Sequence, residues 1–470
     1  MTSDFFILMK FELLLAAIIF ILLFIKVGSK EWKNGQLLNI VNILLLINFA
    51  AGFFGNKDGM LFNDMFKTNQ RIVLEKCILN LGTFIISLQA YAWLKNHKHV
   101  VEFYMLLLAS LMGMFYMISS GNLLMFYLGL ELSTIPLAAL ANFDLEKRKS
   151  SEAAFKLIMS SAFSSGLLLF GISMMYGTAG TVNFTELSQK LDGSELQLFA
   201  FILLFAGFAF KISVVPFHLW TADVYEGSPV AVTSYLSVIS KGAFIFAFVA
   251  VLYTVFKPLA ETWYNMLFLL SVFTMIIGNL FAIRQNNLKR FLAFSSIAQV
   301  GFMLVGISGS SQTGTASVIY FILIYIFSNL GAFGVIALVS AVTGKEGVED
   351  YKGFYKTNPL LTWVLTIALF SLAGIPPTAG FFGKFFLIMA GAGKGNYTLI
   401  VIAALNMIVS LYYYLRVVKA MFMEKSEQPI EKLMINNYTK LALFICVAGI
   451  VVTGFVSWIY DYIYSLSTGF

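Results

Sequence analysis

The stretch that decides the fold is FAFKISVVPFHLW, residues Phe208 to Trp220. It lies inside a long apolar segment, yet it places Lys211, Pro216 and His218 within eight residues of one another. A lysine costs about 2.5–3.5 kcal/mol at the centre of a membrane helix, and a proline removes a helical hydrogen bond. A chain that keeps both here indicates a broken helix that carries a buried charge.

The composition around this stretch is that of a membrane protein. Hydrophobic residues make up 59% of the 470 residues, and charged residues only 12%. A soluble domain has about 25% charged residues, so most of this surface must face lipid or other apolar protein. The first apolar run continues to Val27 without the features of a cleaved signal peptide, and we expect it to be retained as a span.

Fourteen apolar runs approach the roughly 20 helical residues that are needed to cross the hydrocarbon core. The sequence therefore predicts an all-α polytopic membrane protein with short loops. The predicted spans are 5–27, 37–54, 72–94, 100–118, 121–141, 153–177, 196–219, 228–254, 262–283, 288–308, 315–343, 360–390, 396–421 and 438–462.

Basic residues are distributed unevenly among the loops. Loops that follow odd-numbered spans hold 17 Lys and Arg, and loops that follow even-numbered spans hold 6. Because cytoplasmic loops carry the excess of positive charge, this bias predicts that both termini lie on the periplasmic or exterior side. The same bias accounts for the formal charge of +7 without a nucleic-acid partner.

Two spans contain helix-breaking residues at matching positions. Pro216 interrupts the seventh span, and Pro376 and Pro377 interrupt the twelfth. Spans 4–8 begin near residue 100 and spans 9–13 near residue 262, so the two breaks keep nearly the same separation as the two groups of spans. Paired interruptions of this kind point to inverted repeats around an ion path.

A duplicated unit with an odd number of helices must cross the membrane in opposite directions in its two copies. We therefore predict two inverted five-helix repeats with broken helices 7 and 12. The predicted parts are an N-terminal three-helix segment (1–99), a first repeat (100–255), a second, inverted repeat (256–423) and a C-terminal helix (424–470). These limits rest on helix spacing, because the sequence similarity between the repeats is weak.

Ionisable residues lie inside several predicted spans. Such residues persist by pairing or by lining water, and they commonly mark ion pathways. The candidates for proton transfer are Glu131, Lys156, Lys211, His218, Lys241 and Lys384. The competing interpretations are inert ion pairs, a side chain that extends to the membrane surface at Lys156, and a helix-capping role for His218.

Other charged residues near span ends are interpreted as anchors at the membrane surface. These are Lys10, Glu12, Glu75 and Lys76, while Glu102 is either a functional group or an interfacial carboxylate.

No cofactor or metal site is expected on this chain. Cys77 and Cys446 both lie in apolar runs and are expected to be free packing residues. The sequence has three histidines and no HExxH, CxxC, EF-hand or Walker pattern. No credible strand is present, so a dinucleotide-binding fold is not expected either.

Three motifs resemble those of the antiporter-like membrane subunits of respiratory complex I. They are FHLWTADVYEGSPVAVTSYLSVISKGAF at 217–244, NLKRFLAFSSIAQVGFML at 287–304 and GIPPTAGFFGKFFL at 374–387. The resemblance covers roughly residues 100–420. Within that family, the Asp-Val-Tyr-Glu-Gly sequence at 223–227 is most similar to the N-type subunits.

The resemblance implies roles for four of the buried charges. Glu131 and Lys211 would form a switchable pair, Lys241 would be the central relay, and Lys384 would communicate with the other side of the membrane. It further implies a proton-translocating subunit of an NADH–quinone oxidoreductase in a bacterial plasma membrane. NAD, FMN, iron–sulfur clusters and quinone would be bound by partner subunits of that complex.

Two other functions stay open at this point. One is a subunit of a multisubunit cation/proton antiporter or of a membrane-bound hydrogenase, which shares the fold. The other is a structural membrane subunit whose buried charges are inert pairs.

Overall fold

The computed structural model describes residues 2–28, 32–309, 311–393 and 395–468, which are almost entirely helical. The first helices are α1 (Thr2–Leu8), α2 (Lys10–Val27), α3 (Asn34–Ala50), α4 (Gln70–Leu94), α5 (Val100–Ile118), α6 (Leu123–Ala141), α7 (Arg148–Ala179), α8 (Phe184–Lys190), α9 (Glu195–Lys211), α10 (Leu219–Gly227), α11 (Val230–Ser234) and α12 (Lys241–Thr254). A π-helical segment, Tyr235–Ser240, joins α11 to α12.

The remaining helices are α13 (Ala260–Ile283), α14 (Leu288–Ile307), α15 (Ser311–Thr343), α16 (Phe354–Thr357), α17 (Pro359–Ala373), α18 (Ala379–Ala392), α19 (Tyr397–Met423), α20 (Asn437–Phe455) and α21 (Trp458–Leu466). Short 3₁₀ turns lie at Ala51–Phe53, Lys257–Leu259 and Val348–Tyr351.

Within the described ranges, eleven helical segments are long and apolar enough to cross a membrane. They correspond to predicted spans 2–6, 8–11, 13 and 14. The predicted first span holds α1 and α2, and α2 contains three charged residues, Lys10, Glu12 and Lys26. The all-α membrane fold is confirmed, while the total of fourteen spans stays a prediction.

Both predicted helix breaks are confirmed. Helix α9 ends at Lys211 and α10 begins at Leu219, and Pro216 lies in the gap. Helix α17 ends at Ala373 and α18 begins at Ala379, with both prolines between them. Gly374 terminates α17 with a φ of 85°, a left-handed conformation that glycine adopts without steric cost.

The first two helices of each predicted repeat cross at a pair of glycines. A Cβ atom on Gly113 of α5 would lie 2.4 Å from the backbone nitrogen of Ser133 on α6, and Gly129 of α6 contacts α5 just as closely. Between α13 and α14, Gly278 and Gly301 have the same role. Small residues let membrane helices approach until their backbones touch, which places the neighbouring polar residues of α6 and α14 inside the bundle.

A second correspondence concerns the loops. Asn122 caps α6 by accepting a hydrogen bond from the Met125 nitrogen at 2.7 Å, and its backbone pairs with Asn183, which follows α7. Asn287 caps α14, and its backbone pairs with Gly347, which follows α15. These matched contacts support the inverted repeats, whereas the exact domain limits stay a prediction.

The expectation that no strand is present is wrong in one place. Strands β1 (Gly59–Leu61) and β2 (Phe66–Thr68) form an antiparallel hairpin between α3 and α4. The Lys67 nitrogen donates to the Ser119 carbonyl at the end of α5 at 2.7 Å, so the hairpin covers this end of the helices. Strands of three residues are too short to leave an alternating pattern in the sequence.

Helix α4 connects the N-terminal segment with the C-terminal helix α20. The Tyr91 and Tyr438 rings stack with centroids 4.0 Å apart. The Gln89 amide donates to the Leu330 carbonyl of α15 at 2.8 Å. Helix α4 is thus an internal helix of the whole bundle. Cys77 and Cys446 are both buried and free, as predicted.

We expect Gly113→Ala to destabilise the fold, since its new methyl group would meet the α6 backbone. The matched control is Gly166→Ala on α7, where nothing lies within 4 Å of an added Cβ. Overpacking costs about 1–3 kcal/mol, whereas alanine in an open helical position gains up to about 1 kcal/mol. Thermal melting of the detergent-solubilised protein should fall for the first variant only; equal melting temperatures would contradict the glycine contact.

Candidate functional site

Lys211 is the last residue of α9 and is 6% exposed. Its ammonium donates to the Thr134 hydroxyl on α6 at 2.9 Å and to the Ser161 hydroxyl on α7 at 2.5 Å. The Phe244 ring lies 5.8 Å from Nζ. Hydroxyl groups of two neighbouring helices therefore solvate this lysine inside the bundle.

Glu131 lies on α6, one turn before Thr134. Its Oε1 atom is buried and has no hydrogen-bond partner in the described part of the chain. The direct Glu131–Lys211 pair that the resemblance implies is not formed: the ion pairs between described residues do not include it. Lys211 instead binds the Thr134 hydroxyl, one turn further along α6. The Glu131 carboxylate lies close by without an ion pair to this lysine.

Lys241 is the first residue of α12, directly after the π-helical segment, and is 2% exposed. Its ammonium donates to the Ser296 hydroxyl on α14 at 2.7 Å, and the Tyr225 ring lies 5.3 Å away. A π-helical turn shifts the residues that follow it around the helix axis, and such turns are frequent at functional sites.

Lys384 lies on α18 and is fully buried. Its ammonium donates to the Ala373 carbonyl at 3.2 Å, and the Phe302 ring lies 4.8 Å from Nζ. Ala373 is the last residue of α17, so this carbonyl has no partner within its own helix.

His218 stands at the N-cap position of α10 and is 7% exposed. Its side chain makes no capping hydrogen bond, and its Nδ1 atom has no partner among the residues described. The helix-capping interpretation therefore lacks its expected contact, and the ring keeps a free nitrogen next to the break.

A lysine lies at each break, but only Lys384 donates to a terminal carbonyl, whereas the Lys211 ammonium donates to hydroxyls. Lys211 terminates α9, and Lys384 reaches the terminal carbonyl of α17. The C-terminal end of a helix carries a partial negative charge, which favours a cation there. A half-helix that ends inside the membrane thus provides a fixed polar partner for a buried ammonium, which lipid does not.

A polar bridge joins Lys241 to Lys384 through α14. Ser296 binds Lys241, and Gln299 lies one turn further along the same helix. The Gln299 amide donates to the Leu372 carbonyl at 3.0 Å, next to the Ala373 carbonyl that Lys384 uses. Polar groups therefore continue from one lysine to the other.

One small cavity adjoins this row of lysines, and a larger one lies near it. The small one, of about 20 Å³, lies between Lys211, Ser161 and Ser240, and it has room for about one water. The larger one, of about 740 Å³, is lined by charged loop residues including Glu346 and by Ser234, the last residue of α11. Solvent can thus reach α11, which precedes the π-helical segment.

Lys156 belongs to a charged cluster rather than to this row. Its ammonium lies 2.7 Å from Asp223 on α10 and 2.7 Å from Glu152. Arg290 on α14 binds Asp223 at 2.6 Å and Glu226 at 3.1 Å. The side chain of Lys156 is 40% exposed, so the structure places it near the surface.

No role for Asp223, Glu226 or Arg290 was predicted from the sequence. The available signal was two acids three residues apart in an apolar segment, which places both on one helix face. Their partners lie more than 60 residues away in the chain, and sequence spacing does not reveal such contacts.

The interpretation of Glu12, Glu75 and Lys76 as surface anchors is wrong. They are 1%, 4% and 1% exposed, because the hairpin and the neighbouring helices enclose them. Lys10 does lie near the surface, where it binds the Asn56 amide oxygen at 2.6 Å. Glu102 is interfacial and pairs with Lys26 at 2.7 Å.

Residues 120–410 match the family described as "NADH:quinone oxidoreductase/Mrp antiporter, TM". The chain therefore belongs to this family of membrane subunits. Within it, the chain is 47% identical over 462 residues to NADH-quinone oxidoreductase subunit N of Phocaeicola vulgatus, covering 96% of this chain and 97% of the relative.

Solved structures share the fold. A chain of respiratory complex I from Thermus thermophilus superposes with a TM-score of 0.82 and 26% identity, covering 96% of this chain and 98% of the other. A chain of the Mrp complex from a Dietzia species gives a TM-score of 0.86 at 20% identity, covering 97% and 96%. The latter likeness concerns the fold alone.

We expect Asp223→Asn to loosen the contact of α10 with α7 and α14, since it weakens bonds to Lys156 and Arg290. Charge-assisted hydrogen bonds contribute about 1.5–3 kcal/mol when buried, and partial exposure places this loss near the lower end. The melting temperature of the solubilised protein should fall. The control Asp192→Asn, at an exposed loop position without an ion pair among the described contacts, should melt like the wild type; equal behaviour of both variants would contradict the cluster's role.

Proposed function

We propose that this chain is a proton-translocating membrane-arm subunit of an NADH-quinone oxidoreductase, in the role of its relatives named subunit N. The observation that carries the proposal is the row of three buried lysines on interrupted helices. Lys211, Lys241 and Lys384 are each 6% exposed or less, and each is held by neutral polar groups. A membrane protein retains such groups where ions move.

Lys211 is the proton station next to the first break. In the structure its ammonium donates to the hydroxyls of Thr134 and Ser161, while Glu131 lies one helical turn before Thr134 on α6. Approach of the Glu131 carboxylate favours the charged lysine, and its withdrawal favours release of a proton. His218, with its free Nδ1, is placed to take part in this exchange.

Lys241 and Lys384 continue the path. A proton released at Lys211 reaches Lys241 through the small cavity at Ser240, and the Ser296–Gln299 bridge leads on to Lys384. Lys156 belongs to the surface cluster with Asp223, and in this proposal it sets the charge at the loop end of α7 rather than accepting protons in the row.

Protons would enter from the cytoplasm and leave on the exterior of a bacterial plasma membrane, with both termini on the exterior side. NAD, FMN, iron–sulfur clusters and quinone would reside in partner subunits, and the other membrane and peripheral subunits of the complex would be the partners. Electron transfer there would bias the positions of the charged groups here.

The second candidate is a subunit of a cation/proton antiporter. The fold shared with the Mrp complex chain favours this candidate. The sequence identity to that chain is only 20%, lower than the identity to the relatives named subunit N, and this difference favours the oxidoreductase. Purification of the chain from its own membranes distinguishes the two, since an NADH-oxidising assembly should accompany it only in the first case.

Lys211→Ala and Glu131→Ala should each reduce the number of protons moved per electron while the complex still assembles. A positioned acid or base contributes about a hundredfold or more to proton transfer, so the path through this chain should become negligible. The measurement is proton uptake and NADH oxidation in the same proteoliposomes. Lys432→Ala, at an exposed loop lysine, is the control and should leave the ratio unchanged.

Lys384→Ala tests the far end of the row. Its loss should lower the same ratio, and the double variant with Lys211→Ala should be no worse than Lys211→Ala alone, because both lie on one path. An additive decrease, or an unchanged ratio in an assembled complex, would remove Lys384 from the path.

A further inference from the structure

Helix α4 carries a stripe of buried polar residues that the row of lysines does not include. Lys76, Asn80, Thr83 and Ser87 are spaced by four, three and four residues, which places them on one face of the helix. Each is 1% exposed or less. We name these four residues, with Glu12, the α4 polar file. Apolar residues would pack this face at no electrostatic cost.

One end of the α4 polar file is a buried ion pair. The Lys76 ammonium lies 2.5 Å from Oε1 of Glu12 on α2, and both side chains are 1% exposed. The rings of Phe11, Phe66 and Phe115 surround the ammonium at 5.0–5.9 Å. Phe66 belongs to strand β2, so the pair lies directly beneath the hairpin.

The middle of the file has polar atoms without protein partners. Asn80 is fully buried, and neither its amide nitrogen nor its oxygen has a hydrogen bond to any described residue. The same holds for Oε2 of Glu12 and for both polar atoms of Asn48 on α3. Each such group costs several kcal/mol in a membrane interior unless it is hydrogen-bonded. Buried water satisfies groups of this kind.

The file approaches the helix that carries Lys241 at Thr83, one turn before its last member, Ser87, which bonds Asn42 and Tyr104. The Tyr235 hydroxyl donates to the Leu107 carbonyl of α5 at 3.4 Å, and the hydroxyls of Thr83 and Ser110 lie beside it. Tyr235 begins the π-helical segment that leads directly into Lys241. The missing side chain of Gly82 permits this closeness, since a Cβ there would meet Ile239 of the same segment at 2.3 Å.

We propose that the α4 polar file holds water and forms a side branch of the proton path, from Tyr235 to the Glu12–Lys76 pair beneath the hairpin. The inference rests on the proposed function. A proton that arrives at Glu12 neutralises the carboxylate and frees Lys76; its departure past the hairpin restores the pair. In the predicted orientation the hairpin faces the exterior, so the branch is an outlet. A purely structural ion pair would not require the unpartnered Asn80.

The first test uses the assembled wild-type complex and needs no variant. A cryo-EM map that resolves water should show density within about 2.7–3.2 Å of the Asn80 side chain and of Oε2 of Glu12. A dry, side-chain-filled contact around Asn80 would overturn the branch. This test also decides the matter if the substitutions below prevent assembly.

The second test measures protons moved per electron in proteoliposomes that contain the whole complex. Glu12→Gln keeps the shape of the side chain but removes its charge, and Asn80→Leu removes the polar group. Both should lower the ratio, though by less than Lys211→Ala does, because the route through Lys384 stays open. The matched control is Glu75→Gln, which neutralises a carboxylate 4% exposed on the same helix but off this face; it should leave the ratio unchanged.

The outcomes separate the two proposals. If Lys211→Ala lowers the ratio and Glu12→Gln does not, the branch is refuted and the row of lysines stands. Equal losses in Glu12→Gln and Glu75→Gln would mean a general electrostatic effect and would also refute the branch. If neither Lys211→Ala nor Glu12→Gln changes the ratio, the proposed function itself fails.

Discussion

The constraint on which the structure depends is that each helix break inside the membrane lies beside a buried lysine, and lipid can satisfy neither the freed backbone groups nor the charge. At the end of α17 one hydrogen bond meets both needs, because the Ala373 carbonyl accepts from Lys384. At the end of α9 the needs are met separately: following backbone N–H groups bond the last carbonyls, and hydroxyls of α6 and α7 hold the Lys211 ammonium.

The partners of the buried lysines explain why these side chains differ from ordinary ion pairs. Lys211 and Lys241 bind serine and threonine hydroxyls, which can donate or accept as the lysine gains or loses a proton. Lys156 instead contacts two carboxylates near the surface, an arrangement that fixes its charge. Hydroxyl partners therefore suit the lysines of the row, while the two carboxylates near the surface suit Lys156 as a group that holds helices together.

The sequence was sufficient for features that depend on local composition. Apolar run length located the spans, and the prolines located both breaks because proline cannot continue a helix. Contacts between distant segments could not be read in this way, as with the Asp223 cluster and the hairpin. Glu12 and Lys76 were misassigned because closeness to the end of a run was taken as closeness to water, whereas Phe66 of the hairpin covers them. The roles of all six candidate residues stay predictions, since protonation is not visible in the geometry; they are Glu131, Lys156, Lys211, His218, Lys241 and Lys384.

The stacking of Tyr91 on Tyr438 has a consequence for biosynthesis. Helix α4 emerges from the ribosome among the first, and its partner α20 emerges when almost the whole chain has been made. During that interval the face of α4 that will meet α20 is exposed to lipid or to the insertion machinery. Helix α20 thus completes the packing around α4, and truncations that remove it would leave this early-inserted helix without a neighbour that it normally contacts.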